Sequence, residues 1–218
     1  MTKNAMMKNR GLLLLTSVII LLPMLAGLLL WARLPQTMAT HFGPDGTPNG
    51  FMNRALVVFM MPLALLALHW LCIFSGKYMP NIGGKTFAVL VLWIIPATSI
   101  FMGLITYGYA LNASMDITRM GITFLGVIFM AIGNYMPKVT RNFVVGIKIP
   151  TTLADEDNWT RTHRFAAPLW VAGGLTLLLC GMLGLSSWGL PLVILIVLAL
   201  LPVGYSMILA AKKGSSQE

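Results

Sequence analysis

Between Phe165 and Ala211 the chain runs for 47 residues without one charged side chain. A helix rises about 1.5 Å per residue and the hydrocarbon core of a bilayer is about 30 Å thick, so about 20 apolar residues make one crossing. The run is too long for one helix and suits two. Gly184, Ser186, Ser187, Trp188, Gly189 and Pro191 supply the break, a turn cluster with a tryptophan of interfacial type. Four further uncharged runs, Gly11–Ala32, Ala55–Gly76, Thr86–Met115 and Met120–Pro137, are each long enough for one crossing. Only 10% of the residues are charged and 57% are hydrophobic, whereas a soluble domain carries about 25% charge. Lipid is therefore the solvent for most of this chain, and the sequence predicts an all-α integral membrane protein with six transmembrane helices.

The formal charge of +9 would fit a nucleic-acid binder only if it formed a basic face on a soluble fold. Here it sits in short segments beside apolar spans. With the N-terminus inside, the cytoplasmic side holds Lys3, Lys8, Arg10, Lys77, Lys85, Lys138, Arg141, Lys148, Arg161, Arg164, Lys212 and Lys213, against Arg33, Arg54 and Arg119 outside. That bias predicts both termini in the cytoplasm. Gly11–Ala32 is 22 residues, longer than the roughly 7–15 of a signal peptide's apolar region, so it reads as an uncleaved first helix. The expected organisation is an N-terminal two-helix module over 1–76 with its outer loop at 33–54, a third helix with its connections over 77–119, a three-helix module over 120–211 with a cytoplasmic loop at 137–164, and a tail at 212–218.

The membrane interior is nearly free of titratable groups. His69 is the only one inside a span, which counts against ion-coupled transport. Asn134, Thr98, Ser99, Thr106 and Thr123 can join helices by hydrogen bonds or line a polar path. Pro23, Pro62, Pro96, Pro168 and Pro202 fall inside spans and read as kinks or hinges. Cys72 and Cys180 lie at depths differing by roughly 20 Å, too far apart for a disulfide.

Two loops carry information. The outer one, Arg33–Arg54, contains HFGPDGTPNGF, whose Gly43-Pro44, Asp45-Gly46 and Asn49-Gly50 pairs predict a compact, turn-rich cap held near the membrane by Phe42 and Phe51. His41 and Asp45 are two potential metal ligands without a third, so no metal or cofactor is expected. In the cytoplasmic loop, Gly133–Phe165, Pro137 stops the fourth helix, and Pro150 forces Ile149 to be extended. Thr152 and Asp155 have the spacing of a capping box, predicting a short helix that leads into the fifth span. Asp157 and Arg161, like Trp159 and His163, form i,i+4 pairs. Nothing in the loop pairs a nucleophile with a base, so no enzyme is expected.

Gly133, Asn134, Met136, Lys138, Asn142, Gly146, Ile147, Pro150, Thr152, Leu153, Trp159, Thr162, His163 and Arg164 together resemble the signature of the SdpI family of bacterial membrane proteins. Leu34-Pro35 and HFGPDGTPNG resemble the N-terminal module that often precedes it. Lys148, Ile149 and Thr151 stand where the family signature has arginine, threonine and tryptophan. The resemblance implies a toxin-immunity protein of the bacterial cytoplasmic membrane that guards against a secreted peptide toxin and can recruit a transcriptional repressor. By carry-over, the toxin would meet the outer loop at His41, Phe42, Asp45 and Gly46. A cytosolic repressor would meet Asn134, Lys138, Asn142, Gly146, Lys148, Pro150, Thr152, Trp159, His163 and Arg164. The expected partners are thus membrane lipids, a peptide toxin and a repressor, with no direct contact to nucleic acid. The alternative reading is a channel or transporter for a small or amphipathic solute, with a polar path past Asn134 and Thr98.

Overall fold

The structure, a computed structural model, describes residues 10–78, 84–143, 145–185 and 189–215. Lys3, Lys8 and the Ser186, Ser187 and Trp188 part of the predicted turn lie outside the described residues. Among those described, six helices are long and apolar enough to cross a membrane: Arg10–Leu29, Leu56–Phe74, Leu92–Ala110, Ile117–Lys138, Glu156–Leu183 and Gly189–Gly214.

In chain order, α1 is Arg10–Leu29. A π-helical turn at Leu56–Met60 runs into α2, Met61–Tyr78. Next come α3, Gly84–Ala110, and α4, Ile117–Tyr135, which ends in a 3₁₀ turn at Met136–Lys138. A five-residue helix α5, Pro150–Ala154, precedes the long helices α6, Glu156–Leu183, and α7, Gly189–Gly214. The π turn falls where Pro62, which has no N–H, would interrupt ordinary helical bonding, and the Met61 N–H reaches back to the Leu56 carbonyl instead.

The chain is mostly helical rather than all-α. The loop after α1 folds into an antiparallel hairpin of β1, Thr37–Phe42, and β2, Pro48–Asn53. The turn chemistry explains it. Asp45 Oδ1 accepts the Thr47 N–H at 3.0 Å and the Thr47 hydroxyl at 2.7 Å, and Gly46 takes φ 78°. The Gly43 N–H then closes on the Thr47 carbonyl at 2.7 Å.

The structure separates into two compact units, Met1–Lys77 with Val91–Gly121, and Tyr78–Leu90 with Ile122–Glu218. In the first, α3 donates into backbone carbonyls around the α1 proline. Ser99 Oγ reaches the Ile20 carbonyl at 2.8 Å and the Tyr107 hydroxyl the Pro23 carbonyl at 2.9 Å. His69 is fully buried, 3.1 Å from Thr16 Oγ1. Leu34, Met38, Val57, Val58 and Tyr107 form the core beneath the hairpin. Arg54 fastens its base, donating to the Trp31 and Leu34 carbonyls at 2.7 and 2.8 Å while lying 4.2 Å over the Trp31 ring.

In the second unit, α4 and α6 cross at glycines. A β-carbon on Gly126 would stand 2.6 Å from the Gly174 carbonyl oxygen, and one on Gly174 would stand 2.7 Å from the Gly126 carbonyl oxygen. Lipid gives helices no hydrophobic reason to associate, so close backbone packing of small residues supplies the attraction. The α6–α7 pair is joined by the Phe165–Tyr205 stack, with centroids 4.4 Å apart, and by Trp170 Nε1 donating to the Leu198 carbonyl at 3.3 Å.

Candidate functional site

The segment between α4 and α6, residues 139–155, is folded against the ends of the helices of its own unit. Its geometry grows from α6. Asp155 caps that helix, with Oδ1 accepting the Asp157 N–H at 3.0 Å. This places Trp159 and His163 one turn apart on the same face, where their rings stack with centroids 4.1 Å apart. Trp159 is 1% exposed and donates its indole N–H to the Val139 carbonyl at 2.8 Å, which holds the start of the segment. His163 is equally buried. Its Nε2 accepts the Ile147 N–H at 3.0 Å, so the ring is neutral with its proton on Nδ1, and Nδ1–H donates to the Trp159 carbonyl at 2.8 Å.

Gly146 makes that approach possible. Its φ is 119°, and a β-carbon there would stand 2.5 Å from His163 Nε2 and 2.8 Å from the Trp159 ring. Asn142 shapes the turn before it. Its amide donates to the Thr140 and Val145 carbonyls at 2.8 and 3.0 Å, and its oxygen accepts the Val145 N–H at 2.7 Å. Thr152, also buried, donates to the Ile147 carbonyl at 2.7 Å and accepts the Ile149 N–H at 3.2 Å.

Thr152 thus sits in the third position of α5, and Asp155 is the N-cap of α6. The expected Thr152–Asp155 capping box is replaced by two short-range devices, because Pro150 starts α5 three residues earlier than the box would.

A second polar cluster ties this segment to α7. The Asn158 amide donates to the Ser206 carbonyl at 2.9 Å, and Asn158 Oδ1 accepts the Ser206 hydroxyl at 2.6 Å and the Thr162 hydroxyl at 3.0 Å. Since the Ser206 proton is committed to Asn158, the Thr151 hydroxyl donates to Ser206 Oγ across 2.7 Å. Asn158, Thr162 and Ser206 are all buried. None of these residues was singled out as a site from sequence. Asn158 and Thr162 stand i,i+4, and Ser206 is one of the few polar residues in α7, which are the signals that could have found them. Asp155 Oδ2 also pairs with Lys213 Nζ at 2.8 Å, which holds the Asp155 carboxyl below its usual value.

The sequence-singled residues therefore divide. Asn142, Gly146, Thr152, Trp159 and His163 converge on one internal lock. Asn134, Lys138, Lys148, Pro150 and Arg164 lie exposed around it, with Lys138 Nζ 5.0 Å from the Tyr135 ring and Lys148 Nζ 3.4 Å from the Phe143 carbonyl.

In the first unit, His41 Nδ1 pairs with Asn49 Oδ1 across the hairpin, and Phe42 packs edge-on against Tyr109 at 5.0 Å. The Thr47 hydroxyl and N–H hold the Asp45 carboxyl below its usual value. Gly46 lies against Thr118, whose hydroxyl donates to the Pro44 carbonyl at 3.3 Å. Among the described residues no group of three or more His, Cys, Asp or Glu could hold a metal, and both cysteines are free.

These features define a multi-pass helical membrane protein in which the segment between α4 and α6 is anchored to the ends of the helices of its own unit. Residues 138–206 match the SdpI/YfhL protein family, and residues 18–66 match a domain of unknown function designated DUF1648. The family resemblance carried by the 133–165 motif is borne out, and the matched stretch contains the whole lock and its tie to α7. The chain is 24% identical over 191 residues to Immunity protein SdpI of Bacillus subtilis (strain 168), covering 84% of this chain and 87% of that protein. No solved structure matches it.

Proposed function

We propose that this chain is an SdpI-like immunity protein of the bacterial cytoplasmic membrane, with both termini inside, that protects its cell from a secreted membrane-active peptide. The observation that carries the reading is the alignment to Immunity protein SdpI, which runs through both the hairpin unit and the α4–α7 unit. The hairpin, with His41, Phe42, Asp45 and Gly46 around its turn, is the toxin-facing element. The exposed residues Asn134, Lys138, Lys148, Pro150 and Arg164 form the surface for a cytosolic repressor, and the lock made by buried Asn142, Thr152, Trp159 and His163 with Gly146 against it holds that surface in shape. The role is binding, not catalysis.

The test is expression in a sensitive bacterium challenged with a panel of secreted membrane-active peptides. At least tenfold higher survival than an empty-vector control is expected for one peptide class. Unchanged killing by every peptide, with the protein present in the membrane, overturns the immunity reading. Reporter fusions at Asp45 and Asp155 check the topology, since the reading puts them on opposite sides.

A further inference from the structure

The hairpin has one inner strand and one outer strand. In β1, Met38 and Ala39 are buried, and Met38 belongs to the core beneath the hairpin. In β2, Asn49, Phe51, Met52 and Asn53 are all exposed. The sheet has two strands, so β2 has no neighbour on its far side among the described residues.

The ladder fixes which backbone groups that far side offers. The Arg54 N–H bonds to the Gln36 carbonyl at 2.9 Å, and Met38 stands opposite Met52 two positions further along. Antiparallel pairs alternate between those that exchange hydrogen bonds and those that do not. Arg54 and Met52 therefore bond inward to β1, whereas Phe51 and Asn53 turn their N–H and C=O groups outward. Those groups have the spacing that another extended backbone would meet.

Sheet edges are ordinarily guarded against such pairing by a charge, a proline or a bulge. Here Pro48 and the irregular register both lie toward the turn. From Phe51 to Asn53 the register is regular and no side chain is charged, while Arg54 is engaged with the Trp31 and Leu34 carbonyls. An edge of this kind accepts an uncharged strand without burying an unpaired charge. Leu56, three residues past Asn53, begins the second span, so the edge stands beside the bilayer on which a membrane-active peptide acts.

We infer that the secreted peptide binds the Phe51–Asn53 edge of β2 by adding an extended, uncharged segment as a third strand. Main-chain hydrogen bonds to Phe51 and Asn53 supply the pairing. Successive side chains of a strand point to opposite faces, so Phe51 and Met52 select the peptide's side chains on either face. The inference rests on the immunity reading above and adds to it the mode of recognition.

Proline separates the backbone from the side chain. At position 51 it removes the outward N–H and leaves the inward ladder intact, a substitution that edge strands tolerate. Phe51→Pro and Phe51→Ala, each at the natural level in the membrane, are challenged with the panel peptide against which the natural sequence protects. Phe51→Pro should lose about ten-fold in survival and Phe51→Ala no more than about three-fold. Full protection by Phe51→Pro overturns strand addition and leaves the immunity reading standing. Equal loss in the two variants overturns it as well, because the ring alone would then matter. If the natural sequence protects against no peptide, the immunity reading falls and strand addition with it.

A second measurement needs no variant. In the full chain in detergent, that peptide should slow hydrogen exchange at the Phe51 and Asn53 amides by about ten-fold, read by NMR. Unchanged exchange at both amides sinks the proposal. Met52→Cys in a Cys72→Ser, Cys180→Ala background should stay monomeric under oxidation. Crosslinking to a second copy without peptide would give the edge to self-pairing and overturn the assignment.

Discussion

Gly146 lies so close to His163 that a β-carbon on the glycine would stand 2.5 Å from the imidazole Nε2. The same nitrogen accepts the Ile147 N–H, so the glycine and the hydrogen bond depend on one another. Gly146→Ala brings both the collision and the strain of φ 119°, a backbone region that residues with a side chain rarely occupy. The expected loss is about 2–3 kcal/mol. It should appear as a lower thermal midpoint when exposure of the buried Cys180 is followed with a thiol-reactive dye in detergent.

His163 acts as an acceptor, and its replacements separate that role from simple bulk. His163→Leu leaves the Ile147 N–H without a partner in a buried place and should cost about 1–3 kcal/mol. His163→Gln keeps an acceptor and should recover part of that. If Leu and Gln melt at the same temperature, the hydrogen bond contributes nothing and the ring serves as filler.

Thr151, Ser206 and Asn158 share protons in one chain of donation, so their substitutions cannot be independent. Thr151→Val and Ser206→Ala should each destabilise, and the double variant should lose less than the two losses added, by roughly 1 kcal/mol. Strict additivity in a thermal or denaturant series would mean the two hydroxyls do not interact.

Asp155 gives a pH dependence whose sign follows from its partner. Lys213 holds the folded carboxyl below its ordinary value, so the folded state binds the proton less tightly than the unfolded one. The stabilisation is fully present above the unfolded pKa and is lost as pH falls through the folded one. Asp155→Asn retains the ability to cap α6 but loses the charge. The difference in melting temperature between the natural sequence and Asp155→Asn should be present at neutral pH and shrink below about pH 4. Added salt should shrink it as well, since the pair is exposed.

The six spans were legible because lipid excludes charge, and that exclusion writes itself into long runs such as Phe165–Ala211. Local pairs were legible for the same reason of short range: Asp157 and Arg161 lie 3.7 Å apart, and Trp159 stacks on His163, as their spacing implies. The hairpin was harder. The Gly and Pro of its turn announced compactness but hid the strands, and the register is irregular between Ala39 and Phe42, which blurs any alternation. Ser206 is the one serine of α7, but its role was hidden because its partner, Asn158, is 48 residues away. That Trp159 and His163 would be buried rather than displayed also depended on a distant partner, the carbonyl of Val139.

The glycines of α4 and α6 carry the last prediction. In water, a helix pair of this kind would be held by apolar burial, and a glycine at the crossing would be one contact among many. In lipid that term is absent, and the approach of backbones at Gly126 and Gly174 is itself the attraction. A β-carbon at Gly126 would meet the Leu178 N at 2.5 Å as well as the Gly174 carbonyl oxygen at 2.6 Å, and these are backbone atoms that cannot rotate aside. Gly126→Val should therefore separate the helices and cost more than about 3 kcal/mol, whereas Gly204→Val, with nothing within 4 Å of its β-carbon, should be tolerated. The comparison is made by proteolysis or thiol accessibility at Cys180 in membranes. Equal protection in the two variants would mean that α4 and α6 are held together by something other than their crossing.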